Sequence, residues 1–323
     1  MKTATLTKSC LCAVATASSL LTLGLCTPAN AGPERLSDNS KDKVQMVQEP
    51  EAPKWFISGA VGVDFDTGAT NFSNGFHTLI SVNEAAAAAV LSVFGDANTS
   101  GGFGRLNSVE IDIKSHTWDD AYEPFFRVQG EIGRVFCNRH LEIYGLAKFT
   151  HADSETVTGS NVTLHFSNGD FEIPFTSRFS DYNAFGGELG ARWLFCSPEH
   201  AIRPYVSVNG GAVYVDSIDL HTWTNVFGQS FDIFKDTFYD SSIVGTVSGI
   251  LGVESRVTRR FSVGAEVGLR YETQLDGVDL FASSGLSGTS GFSSSSDLNN
   301  LKKINDAGDR LVIPVSFFAK LRF

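Results

Sequence analysis

From residue 55 onward the chain alternates apolar and polar side chains with a period of two, and it does so in unusually long runs. Trp55, Ile57, Gly59, Val61, Val63 and Phe65 share one face, against Ser58, Ala60, Gly62 and Asp64 on the other. Phe261, Val263, Ala265, Val267, Leu269 and Tyr271 oppose Ser262, Gly264, Glu266, Gly268 and Arg270. Period two is the strand period, and a soluble β-sandwich shows it as well. Run length separates the two cases. These runs last roughly 10 to 16 residues, where a soluble strand averages about 5 to 6 and a tilted membrane strand needs about 9 to 11.

The polar face is charged, and its charges nearly balance. Arg127, Lys148, Arg192, Arg203, Arg270, Lys320 and Arg322 stand against Asp64, Glu131, Glu142, Glu188, Glu254 and Glu266, although the chain as a whole carries −11. Charges in a confined interior must be paired, whereas a solvated outer face has no such constraint. The expected fold is therefore all-β: a transmembrane antiparallel up-and-down barrel with lipid outside. Its lumen would hold the charge network Arg127, Glu131, Glu142, Lys148, Glu188, Arg192, Glu266 and Arg270. Short turns at 137–140, 197–200 and 255–259 alternate with long polar stretches at roughly 67–121, 152–179, 217–239 and 273–308. Short periplasmic turns and long extracellular loops are the transmembrane-barrel pattern.

Eight strands are expected, at about 54–66, 123–136, 141–151, 180–196, 201–215, 240–255, 260–272 and 309–323. The alternative of ten adds 76–82 and 105–117. With eight strands, 106–117 extends a hairpin outside the membrane, and 83–94, with five consecutive Ala, forms a short helix.

Met1 to Ala31 has Lys2 and Lys8, an apolar stretch from Leu11 to Leu25, and an Ala-x-Ala site ending at Ala31, the layout of a secretory signal peptide. Its removal takes the formal charge to −13 and leaves Cys137 and Cys196 of the five cysteines. Residues 32–53 are charged and lack aromatics, so they read as a flexible periplasmic leader; the barrel spans 54–323. The net acidity argues against a nucleic-acid partner. Past the signal, no apolar run approaches the roughly 20 residues of a spanning helix. A disulfide between Cys137 and Cys196 stays open: two strand spacings separate them by nearly 10 Å, while bridged Cα atoms lie within about 7 Å.

The last strand alternates outward through Ile313, Val315, Phe317, Ala319, Leu321 and Phe323. A terminal aromatic on such a strand resembles the signal by which Gram-negative outer-membrane barrels are recognised by their assembly machinery. Phe317, Leu321 and Phe323 would carry it, with Leu321 standing where many members have an aromatic. Together with the signal peptide and loop asymmetry, the chain resembles small outer-membrane barrels of the OmpA, OmpX and OmpW type over roughly residues 54–323, without a periplasmic domain. The resemblance implies location in the cell outer membrane and contact with outer-membrane lipid and lipopolysaccharide.

Some barrels that this chain resembles are enzymes, which need a His beside Ser or Asp at the outer rim. His140 and His200 fall in periplasmic turns; His77, His116, His151, His165 and His221 fall in long loops. His151 with Asp153 and Ser154 is the best local cluster, but spacing singles out no nucleophile–base pair. No metal site and no cofactor is implied. The expected role is structural, with surface interaction through the loops. The alternative is a narrow porin-like channel, because Gly62, Gly133, Gly186, Gly190, Gly211, Gly252, Gly264 and Gly268 face inward and would leave a water path. An outer-leaflet lipid hydrolase ranks third.

Overall fold

The computed structural model describes residues 54–68, 71–81, 105–197, 200–226, 228–278, 304–306 and 308–323. The signal peptide, the leader, the helix expected at 83–94 and most of 273–308 lie outside them. In chain order the strands are β1 (Trp55–Asp66), β2 (Asn71–Ser73), β3 (Phe76–Ser81), β4 (Leu106–Ile113), β5 (His116–Thr117), β6 (Phe125–Phe136), β7 (Leu141–Ala152) and β8 (Thr156–Phe166). There follow β9 (Gly169–Phe179), β10 (Tyr182–Leu194), β11 (Ile202–Val215), β12 (Ile218–Val226), β13 (Gln229–Tyr239), β14 (Ser242–Arg256), β15 (Phe261–Glu272) and β16 (Arg310–Arg322). A one-turn helix, α1 (Trp118–Ala121), precedes β6.

Eight of these strands close on themselves in the order β1-β16-β15-β14-β11-β10-β7-β6. Every neighbouring pair is antiparallel, and the seam runs Phe56↔Arg322 through Asp66↔Val312. The count is eight, not ten: Phe76–Ser81 and Leu106–Ile113 pair with each other outside the barrel. Closure leaves no barrel edge, the condition for a sheet in lipid.

The barrel is inside-out by the standard of a soluble protein. Leu189 and Ile243 are each 75% exposed on the outside, whereas Lys320 and Arg127 inside are 0% and 1% exposed. No helix among the described residues is long and apolar enough to cross a membrane; the strands supply the apolar belt.

The long stretches differ from the polar loops expected. Three of them hold a second, six-stranded sheet in the order β13-β12-β9-β8-β4-β3, joined across hairpins by the short β9–β12 ladder from Leu220↔Phe179 to Trp223↔Thr176. One face of this outer sheet is apolar: Leu106, Val109, Leu164 and Ile173 are buried there, with Val162, Phe171 and Phe175 packed around them. The other face carries charge. Between sheet and barrel sits an aromatic stopper. Phe72 contacts Trp118, Tyr122, Phe179 and Tyr239 edge-on at centroid distances of 4.7 to 5.4 Å, and the Tyr239 hydroxyl donates to the Phe72 carbonyl. Edge-to-face rings of this kind interlock and add roughly 0.5–1.5 kcal/mol per pair beyond their buried area.

Candidate functional site

Inward positions of the barrel strands hold eight buried cations and eight buried anions: Arg127, Lys148, Arg192, Arg203, Arg270, Arg310, Lys320 and Arg322 with Asp64, Asp66, Glu131, Glu142, Glu188, Glu254, Glu266 and Glu272. All eight residues singled out as a lumen network are among them. Asp66, Glu272 and Arg310 were missed. Each sits at the last or first residue of its strand: Asp66 and Glu272 stand one step of period two beyond Asp64 and Arg270, and Arg310 shares the parity of Lys320 and Arg322, so parity carried to the strand ends finds them.

The charges form tiers. Nearest the short turns, Lys320 Nζ lies 2.7 Å from Glu142 Oε2 and 3.0 Å from Glu254 Oε2, and Arg322 bridges the same two carboxylates at 2.9 and 2.7 Å. Arg203 closes the turns by donating to the carbonyls of Cys196 (3.2 Å) and Arg139 (2.5 Å). In the next tier Arg192 contacts Glu131 and Glu142, each at 3.1 Å. Its guanidinium lies 4.7 Å from the rings of both Tyr144 and Tyr205. Tyr205 and Ser316 donate to Glu266 at 2.7 and 2.8 Å. Above it, Arg270 meets Asp64 at 2.7 Å, Arg127 meets the same carboxylate at 3.3 Å, and Lys148 meets Glu188 at 2.6 Å. At the top Arg310 binds Asp66 at 3.0 Å and stacks 3.8 Å from the Phe125 ring, tying the charge network to the aromatic stopper.

The inward glycines do not leave a water path. Register places a ring opposite four of them: Tyr144 faces both Gly133 and Gly190, Tyr205 faces Gly252, and Phe318 faces Gly264. At Gly62, Gly186, Gly211 and Gly268 the neighbouring strand itself, with Ser316, Val213, Glu188 and Ile250, stands where a Cβ would go. A Cβ at Gly252 would come within 2.2 Å of the Tyr205 ring, and one at Gly264 within 2.3 Å of the Phe318 ring. The missing side chains are the space these rings occupy. A small cavity at the rim, lined by Trp118, Tyr182, Glu272, Leu275 and Arg310 among others, has about 10 Å³, room for a single water.

The best histidine cluster does not assemble. His151 Nδ1 pairs with Asn183 Oδ1 at 2.9 Å, and its Nε2 lies 3.4 Å from Asp153. Ser154 Oγ instead accepts from Arg178 Nε at 3.0 Å and donates to Asp181 at 3.3 Å. Among the described residues no group of three or more His, Cys, Asp or Glu is placed to hold a metal. Cys137 is exposed, Cys196 is buried, and no disulfide joins them. Phe317, Leu321 and Phe323 point outward, 65%, 44% and 56% exposed.

The charged face of the outer sheet carries a ladder that crosses four strands. His77 Nε2 lies 2.9 Å from Glu110 Oε1, Glu110 Oε2 lies 3.1 Å from His165 Nε2, and His165 Nδ1 lies 2.8 Å from Asp170. The hydrogen bond with Asp170, then that with Glu110, holds the His165 pKa above its ordinary value. Hydrogen bonds from His77 and His165 hold the Glu110 carboxyl below its own. His221 and Asp232 pair at 3.0 Å on the same face.

No family model and no curated protein matches the sequence. Solved structures similar to the chain include neisserial surface protein A, at 8% identity over 83% of this chain and 97% of that one with a TM-score of 0.34. Another is the outer membrane protease OmpT from Escherichia coli, at 9% identity over 84% and 97% with a TM-score of 0.29.

Proposed function

We propose that this protein is an outer-membrane barrel whose role is exerted by the outer sheet, with the barrel as a closed anchor. The observation that carries this reading is the filled lumen: paired charges and interlocking rings occupy the interior from the short turns to the aromatic stopper. Eight strands enclose little more than their own side chains, whereas aqueous porins use 16 to 18. The narrow-channel reading relied on the inward glycines, and their space is taken by rings at Gly133, Gly190, Gly252 and Gly264 and by neighbouring strands at Gly62, Gly186, Gly211 and Gly268. The hydrolase reading has no nucleophile–base pair among the described residues to rest on. Outer-membrane location is supported by the apolar belt, by the outward Phe317, Leu321 and Phe323 as an assembly signal, and by the signal-peptide layout of residues 1–31.

The surface ligand is narrowed by charge. Acids outnumber bases several-fold in the segments beyond the long-loop end, so contact with lipopolysaccharide phosphates there would run through divalent cations, and a protein or glycan partner would present cations. Thiol labelling on intact cells tests the placement. An impermeant maleimide should modify Lys235→Cys on the exposed β13 and spare native Cys137 until the outer membrane is permeabilised. Labelling of Cys137 in intact cells, or protection of Lys235→Cys, would overturn the orientation.

A further inference from the structure

The two ends of the barrel carry opposite charge. The long-loop end is acidic, with Asp153, Asp170, Asp181, Asp216 and Asp232 in its segments. At the short-turn end, Arg139 lies in the β6–β7 turn, Arg259 and Arg260 lie exposed in the β14–β15 turn, and Arg134 is exposed at the end of β6. Lys54 and Arg256, which have contacts of their own, lie on the same rim. Of the acids near this end, Glu142 and Glu254 are buried and engaged by Lys320 and Arg322, and Glu199, by sequence in the 197–200 turn, is outnumbered by the arginines. Among the described residues no carboxylate side chain is exposed on this rim.

The rim also sits at a definite level. Trp55, Phe136, Trp193, Phe195, Phe261 and Phe323 are exposed at the short-turn ends of the strands or just beyond, forming the aromatic girdle that settles at a membrane interface. The Arg134 guanidinium lies 5.7 Å from the Trp55 ring and 5.4 Å from the Phe136 ring, which fixes a cation at girdle height. Arg presents a planar fork of donors that matches a phosphate, and cations just beyond a membrane's apolar zone draw anionic lipid.

We propose that this rim is a binding ring for anionic phospholipid headgroups in the leaflet facing the short turns, engaged through Arg134, Arg139, Arg259 and Arg260. The inference rests on the membrane-barrel reading above and adds a lipid specificity to it. The ring holds acidic phospholipids around the barrel on one side, while the acidic long-loop end excludes them on the other.

The test is the motional restriction of spin-labelled phosphatidylglycerol and phosphatidylcholine by the mature protein refolded into mixed vesicles of the two lipids. The wild type should prefer phosphatidylglycerol roughly three- to ten-fold. Combined Arg134→Gln, Arg139→Gln, Arg259→Gln and Arg260→Gln should bring the preference close to one, as should 1 M salt. Lys235→Gln, a cation of the outer sheet, should leave it unchanged. Equal restriction of both lipids, or a preference that survives the quadruple substitution, would overturn the proposal. So would displacement of phosphatidylglycerol by dextran sulfate at equal charge concentration, which would assign the rim to a soluble polyanion. A gel mobility that changes on boiling shows in each case that the barrel has formed. Its absence would count against the membrane reading itself.

Discussion

The lumen and the outer sheet make ion pairs of the same length in opposite surroundings. Lys320 to Glu142 is 2.7 Å and His165 to Asp170 is 2.8 Å. Both side chains of the first pair are fully buried; those of the second are 27% and 62% exposed. Distance therefore does not rank them. In the lumen, loss of one partner strands a charge with no water to receive it, at a cost of about 3–5 kcal/mol. On the outer sheet water takes the partner's place, and an exposed pair contributes about 0–1 kcal/mol. The same chemistry is a structural frame in one region and an adjustable surface in the other.

The largest effect that separates the regions is expected from Glu142→Ala. It removes a carboxylate shared by Arg192, Lys320 and Arg322, so urea unfolding of the refolded barrel should lose about 3–5 kcal/mol. A loss below about 1 kcal/mol would mean that the lumen is wet, and the contrast with the outer sheet would collapse. Next comes Gly252→Ala, whose Cβ meets the Tyr205 ring. Overpacking should cost about 1–3 kcal/mol in the same assay, while a neutral result would show that the ring has room to move. Arg127→Met sharpens the picture within the lumen. Asp64 keeps its shorter pair with Arg270, and replacing a buried charge by an apolar group of similar volume is often neutral, so stability should change by less than about 1 kcal/mol.

The smallest effect belongs to the outer ladder, and it depends on pH. His165 is held above its ordinary 6.5, so its contribution is complete below that pH and is lost as pH rises through the folded-state value. Glu110 is held below its ordinary 4.5, so its contribution is present above that pH and is lost as pH falls through the folded-state value. The ladder should be tightest between 4.5 and 6.5. Amide exchange in β8 and β9, corrected for intrinsic rates, should be slowest in that window, and β16 should show no such dependence. His165→Gln should flatten the profile; a profile unchanged by it would remove the ladder as the cause.

The barrel was legible because lipid imposes a strict rule on every second residue, and the expected strand ends fall within a few residues of those observed. The outer sheet was not. Val162, Leu164 and Phe166, then Phe171, Ile173 and Phe175, alternate as clearly as any barrel strand. The residues between and beside them are Asn, Thr, His, Ser, Asp, Glu and Pro, however, and the segments lie where a barrel needs loops. Lumen parity is visible in the sequence, so the charged positions can be read as inward-facing, but whether the inward glycines leave a path is not. Sequence shows which position lacks a side chain; only cross-strand register shows that Tyr144 stands between Gly133 and Gly190 and fills both gaps. Spacing along the chain links His151 with Asp153 and Ser154, whereas His77, Glu110, His165 and Asp170 meet only across strands.

The central claim is that the barrel is an anchor with a closed interior, and planar-bilayer recording of the refolded full-length mature protein tests it most directly. Inserted protein, verified by its heat-dependent gel mobility, should leave the bilayer at its baseline current across ordinary voltages. Stable open levels on the nanosiemens scale would contradict the account and return the protein to the class of channels.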